Sequence, residues 1–172
     1  CQPSHQKKSW PYGTNRPLDW EKYDNLGQDA QNEKEAFLVD IDADSSAFDA
    51  IMDAMRLPKS TEEQKATRQK ALQKATIGAI EVPMRSLRRA RKAVVFASIA
   101  ITGNQNALSD AGVAASMARS CAEGAWMNVR INLKDVKNDV LRKKYAEEAD
   151  NLLGEIRSQT KNILDIVEEK LR

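Results

Sequence analysis

Cysteine and histidine are almost missing from this chain of 172 residues: Cys1 and Cys121 are its two thiols and His5 its single imidazole. That supply excludes a disulfide framework and offers no zinc-type spacing, so no metal is expected. Glycine and proline are also scarce, at seven and five, and Pro3, Pro11 and Pro17 all fall before residue 18. The prolines are therefore concentrated at the start. No apolar run approaches the roughly 18 residues of a membrane span, and no signal-peptide pattern opens the chain. A surplus of one charge is missing too: 27 bases against 25 acids leave a formal +2. Nucleic acid and membrane are thus not expected as partners. Reduced cysteine usage predicts a cytoplasmic setting. The first residue is Cys rather than Met, which reads as a fragment.

What is present is helix-forming. After residue 20 the chain is rich in Ala, Lys, Glu, Leu and Arg, and no stretch alternates like a strand. Residues 1–20 mix Pro, Gly and aromatics (Trp10, Tyr12, Trp20) without period and read as an irregular arm. Residues 21–172 read as one helical domain. A first helix, from about Asp19 to Arg56, carries Phe37, Ile41, Phe48, Ile51, Met52 and Met55 at helical spacing. Leu57-Pro58 ends it, because a residue before proline is pushed out of the α region. Ser60 and Glu63 fit a capping box, opening a second helix toward Ile101 that Pro83 should kink or split. Gly103–Asn106 reads as a turn, and Ser109-Asp110 as the cap of a third helix dense in Ala, Gly and Ser. A fourth, from about Asp135 to Leu171, carries Val136, Val140, Tyr145, Leu152, Ile156, Ile163 and Val167. The expectation is an all-α bundle of long, partly kinked helices.

The chemistry-bearing candidates are carboxylates. Asp40, Asp42 and Asp44 stand near a helical stripe, where acids either favour a helix N-terminus or move protons. Residues two apart on a helix point to nearly opposite sides, whereas residues four apart share a face. Asp44 therefore pairs with Asp40 rather than Asp42. Asn128 and Asn132, also four apart, put two amides on one face and need partners: a heterocycle edge or a neighbouring helix. Arg56, Lys59, Lys65, Arg68 and Arg130 are candidate partners for an anion, against the plainer reading of solvated bases. The run Arg85, Arg88, Arg89, Arg91, Lys92 reads as a solvated face, an anion-docking site or, least favoured, a nucleic-acid patch. Cys121 reads as packing and Trp126 as core or interface.

Five blocks in order now carry a resemblance. They are Asp42-Ala43-Asp44-Ser45-Ser46-Ala47-Phe48; Ala54-Met55-Arg56-Leu57-Pro58-Lys59; Ala79-Ile80-Glu81-Val82-Pro83; Gly103-Asn104 with Ser109-Asp110-Ala111-Gly112-Val113-Ala114-Ala115; and Gly124-Ala125 with Asn128-Val129-Arg130-Ile131-Asn132-Leu133. Together, over about residues 40–172, they resemble the cyclodeaminase/cyclohydrolase family. Residues 4–10 and Asp19-Trp20-Glu21 are weakly similar to the segment the family places before them. The resemblance implies an all-helical fold that dimerises through helix faces, with a folate site near the subunit interface. It implies closure of 5-formimidoyltetrahydrofolate to 5,10-methenyltetrahydrofolate with release of ammonia, a step of histidine degradation. Asp44, aligned on Ala47-Phe48, matches the family's acid/base residue. Asp110, Asn128, Asn132, Arg56, Lys59 and Arg130 are the expected substrate-binding residues, the bases serving a folate tail that can be polyglutamylated. No cofactor is expected. The family's glycine-rich opening is not in this chain, which therefore reads as N-terminally truncated. Two rivals stay open: a methenyltetrahydrofolate cyclohydrolase, and a non-catalytic helical oligomerisation module.

Overall fold

The computed structural model describes residues 20–103 and 105–172, with side chains from Tyr23 onward. The expected arm, up to residue 19, lies outside the described residues, and Trp20 already belongs to a helix. Four helices follow: α1 (Trp20–Arg56), α2 (Glu62–Ala100), α3 (Leu108–Asn132) and α4 (Asp139–Leu171). Among the described residues there is no strand, so the all-α expectation holds.

The core lies among α2, α3 and α4. Ile80, Met84, Leu87, Val94, Val129 and Ile156 are all fully buried there. The small-residue face of α3 (Ala111, Ala115, Ala118, Ala122, Ala125) is buried too, because short side chains let neighbouring backbones close in. A Cβ on Gly112 would stand 3.3 Å from Val167 Cγ1, so glycine allows the α3–α4 approach at that point. Helix α1 packs along α2 but buries little: Ile41, Phe48 and Met55, expected on its inner stripe, are exposed, as is Leu38. The buried face of α1 instead carries Asp40 and Ala54, displaced around the helix from the apolar stripe.

Three local expectations are corrected. The capping box belongs to Thr61 and Gln64, not Ser60 and Glu63. Thr61 Oγ1 accepts from the Gln64 amide (3.2 Å), and Gln64 Oε1 accepts from the amides of Thr61 (3.2 Å) and Ser60 (2.9 Å). This register places Glu62 and Glu63 in the first turn, where the helix dipole favours them. Ser109-Asp110 is not a cap: a 3₁₀ turn, Gln105–Ala107, runs into α3 at Leu108 with no side-chain cap. Burial of Leu108 and Ala111 starts that helix earlier. Helix α4 begins at Asp139, capped by Asn138 Oδ1 accepting from the Leu141 amide (3.0 Å), after a second 3₁₀ turn at Leu133–Asp135.

Pro83 does not split α2, which runs unbroken through it. Proline lacks the N–H that would bond the carbonyl four residues back, leaving Ala79 O open. Asn132 Nδ2 donates to that oxygen at 3.0 Å. The gap made by a proline in α2 is thus closed by an amide from α3.

Candidate active site

Asp40 and Asp44 project from the middle of α1, not from its N-terminus, so the dipole reading of the acidic run is set aside. Both line one cavity of about 400 Å³ between α1, α2 and α3, with Phe37, Ile41, Ser45, Pro83, Ser86, Cys121 and Asn128. Asp42 does not line it, as the spacing of four against two predicts.

The two acids differ in what holds them. Asp40 is 6% exposed; Arg85 Nε donates to its Oδ1 (2.8 Å) and Arg89 Nε to its Oδ2 (2.9 Å). Arg89 also donates to Glu33 (2.9 Å), which accepts from Lys92 Nζ (2.5 Å). Burial pushes the Asp40 carboxyl up, but the Arg85 and Arg89 hydrogen bonds outweigh it and hold the group below its ordinary value. Lys92 chiefly, with Arg89, does the same for Glu33. Asp44 is exposed and has no hydrogen-bond or ion-pair partner among the described residues. It is the uncommitted acid.

The basic run on α2 is neither a solvated face nor an open docking patch. Arg85, Arg89 and Lys92 clasp α1, while Arg88 reaches Glu148 (2.7 Å) and Arg91 reaches Glu155 (3.5 Å) on α4. Beside Arg88, Tyr145 donates to Glu81; burial first, then that carboxylate, pushes the phenol up to about 12.

The remaining expected residues are distributed. Asn128 joins Asp44 in the cavity, whereas Asn132, on the same α3 face, is occupied by Ala79 O. Asp110 lines a separate apolar cavity of about 640 Å³ with Tyr23, Phe96 and Ala111. Arg56 pairs with Asp53 (3.2 Å) on the surface, and Lys59 is exposed in the α1–α2 turn. Lys65 pairs with Glu62 (2.6 Å), and Arg68 donates to Met55 O (3.2 Å). Arg130 lines a third cavity, of about 680 Å³, with Trp126, Lys134 and Arg142. Cys121 was missed as a cavity residue, although it precedes Asn128 by seven positions, two helical turns on one face. Burial pushes its thiol up.

A protein helical throughout its described elements, with a free carboxylate and an amide lining one small cavity, is the class these features define. The chain belongs to the formiminotransferase-cyclodeaminase family, whose model matches residues 12–151. It is 36% identical over 129 residues to a methenyltetrahydrofolate cyclohydrolase of Methylorubrum extorquens, covering 74% of this chain and 62% of that one. It is also 36% identical over 131 residues to the formimidoyltransferase-cyclodeaminase of Sus scrofa, covering 76% of this chain and 24% of that one. The chain thus spans less than two thirds of either relative. A crystal structure of formiminotetrahydrofolate cyclodeaminase from Thermotoga maritima superposes with a TM-score of 0.71 at 24% identity, covering 88% of this chain and 71% of that one. That likeness establishes the shared fold.

Proposed function

We propose that this protein closes 5-formimidoyltetrahydrofolate to 5,10-methenyltetrahydrofolate and releases ammonia, with Asp44 as the acid/base. The observation that carries the reading is the pairing in one cavity of a carboxylate without a partner and the Asn128 amide. N10 attacks the carbon of the formimidoyl group, protonated on its terminal nitrogen, and forms the new C–N10 bond. The Asp44 carboxylate takes the proton from N10 and delivers it to the nitrogen that leaves. Cleavage of that C–N bond gives ammonia and the methenyl cation, so one proton moves and no redox equivalent is needed. One group doing both jobs requires an acid not already held by a base, which describes Asp44 and not Asp40. Asn128, in the same cavity, would hydrogen-bond the pterin edge.

A second copy of the chain completes this reading. Leu38, Ile41, Phe48 and Met55 on α1 and Val113 and Met117 on α3 are large, apolar and exposed. Such a surface is what a subunit interface covers; Ile41 is also part of the cavity lining, so dimerisation would shelter Asp44 from water. The proposed setting is the cytoplasm and the breakdown of histidine. No described helix is long and apolar enough to cross a membrane.

Methenyltetrahydrofolate cyclohydrolase is the second reading, favoured by the Methylorubrum relative. There water adds to the methenyl carbon, the C–N5 bond breaks and a proton is released, with the same carboxylate as base. Purified protein incubated with each substrate separates them: cyclodeaminase raises methenyl absorbance from formimidoyltetrahydrofolate, and cyclohydrolase removes it faster than the buffer does. No change with either substrate refutes both.

A further inference from the structure

Helix α1 carries Asp44 yet contributes nothing to the main core. The contiguous buried cluster around Ile80, Met84, Leu87, Val129 and Ile156 draws on α2, α3, α4 and the turns between them, and on no residue of α1. The inward stripe of α1 explains this. At steps of three and four it runs Ala30, Glu33, Phe37, Asp40, Asp44, Ala47, so three of six positions are carboxylates and two are alanines. Docking such a face removes little apolar surface from water, and hydrophobic stabilisation scales with that surface. Charge holds the helix instead. Asp40 accepts from Arg85 and Arg89, and Glu33 accepts from Arg89 and Lys92, so three bases of α2 span two acids of α1. The side chains of Asp40 and Glu33 are only 7% and 16% exposed, so these pairs are screened less than surface pairs. A further hold, Arg68 Nε on Met55 O at 3.2 Å, lies beside the turn at 57–61. From that turn back to Asp44 is about 20 Å of helix, so a tilt of about 15° there moves the carboxylate by roughly 5 Å. Asn128, on α3, does not move with it.

We infer that α1 is a latched flap, docking and undocking separately from the α2–α4 core, with Glu33 and Asp40 on Arg85, Arg89 and Lys92 as its latch. Docked, it brings Asp44 into the cavity with Asn128. Undocked, it takes the carboxylate away from the amide while the core stays folded. Segments with few buried apolar contacts are those that open below the global unfolding energy. Arg85 and Arg89 act on Asp44 only through the docking of α1, which makes them positioning residues. The flap rests on the contacts of α1 alone; its effect on turnover rests on the Asp44 reading given above.

Hydrogen exchange of the full chain, resolved by peptide, tests this. Peptides of α1 exchange together and faster than those of the α2–α4 core. Asp40→Asn speeds α1 by about thirtyfold, the effect of one lost buried charged partner, and the milder Glu33→Gln by about threefold. Neither variant changes the core peptides. Glu33→Gln keeps the test decisive if Asp40→Asn fails to fold. Equal protection of α1 and core in the wild type, or a variant that speeds both alike, overturns the inference, because the chain then opens as one unit. So does α1 protection that follows protein concentration and ignores Glu33→Gln, which assigns its hold to a second copy. Turnover separates the two readings. In rising urea, conversion of 5-formimidoyltetrahydrofolate disappears together with α1 protection and before core protection, and Glu33→Gln lowers both transitions by the same step. A wild type with two exchange classes whose turnover outlasts α1 protection, or that converts neither folate, loses the Asp44 reading and keeps the flap. A single exchange class with full turnover loses the flap and keeps the Asp44 reading.

Discussion

Asp40 and Asp44 are the same residue type, one helical turn apart on α1, and share a cavity. One is buried under two arginines; the other is exposed and unclaimed. Identical chemistry thus divides into a held acid and a free one through what α2 places opposite each. A carboxylate held by Arg85 and Arg89 stays ionised and keeps α1 on the bundle, so it makes a poor proton carrier. A carboxylate with no partner can gain and lose a proton as a reaction demands. The two positions differ in surroundings because a turn of helix, about 5.4 Å, moves one beyond the arginines.

The sharpest way to break this division is to neutralise each acid in turn. Asp44→Asn should lower turnover by about 10²–10⁴-fold and leave the urea midpoint in place; a variant with wild-type rates would end the assignment. Asp40→Asn should act on stability, costing about 2 kcal/mol by urea denaturation, since Arg85 and Arg89 lose a buried anion but remain partly solvated. If Asp40→Asn abolished turnover without destabilising the fold, the roles would be reversed.

A smaller effect tests the neighbouring amides. Asn132→Ala should cost about 1–2 kcal/mol, because Ala79 O loses its donor. In a Pro83→Ala background an amide N–H returns to that carbonyl, so the same substitution should cost less than half as much. A double-mutant cycle measures the coupling; additive effects would mean that the Asn132 bond does not serve the proline gap. Asn128→Ala, by contrast, should change KM more than stability.

Acid titration gives a graded version of the same contrast. Folded-state values of Asp40 and Glu33 are depressed below 3.8 and 4.5. Their contribution is therefore complete above those values and is lost as pH falls through the lower folded ones. Wild type should lose stability below about pH 4 more steeply than Asp40→Asn, by urea midpoints across that range. The smallest effects belong to Arg56→Ala and Lys59→Ala. Both are exposed, and each should shift stability by less than about 0.5 kcal/mol; a raised folate KM in either would assign a substrate contact to that turn.

Much of the architecture was legible in local spacing. Apolar residues at steps of three and four announced α1, α2 and α4, a run of small residues announced α3, and Leu57-Pro58 ended α1, whose last residue is Arg56, because turn and period signals act within a few residues. Equally local rules erred by a residue or more where two solutions competed. Ser60-x-x-Glu63 and Thr61-x-x-Gln64 both fit a capping box, and packing of Leu108 and Ala111 overrode Ser109-Asp110. The rule that residues four apart share a face brought Asp40 and Asp44 together correctly. It did the same for Asn128 and Asn132 but could not tell that Pro83 would claim one of them.

The site was therefore half visible. Its acids, its amide and its helical face follow from the order of residues, since helical periodicity is a property of neighbours. Which acid is free does not, because the groups that decide it, Asp40 and Arg85, are 45 positions apart. Sequence alone determined the helices and the candidates on each face. Tertiary structure decided their partners, since charge pairing depends on distance in space and falls away within a few ångströms.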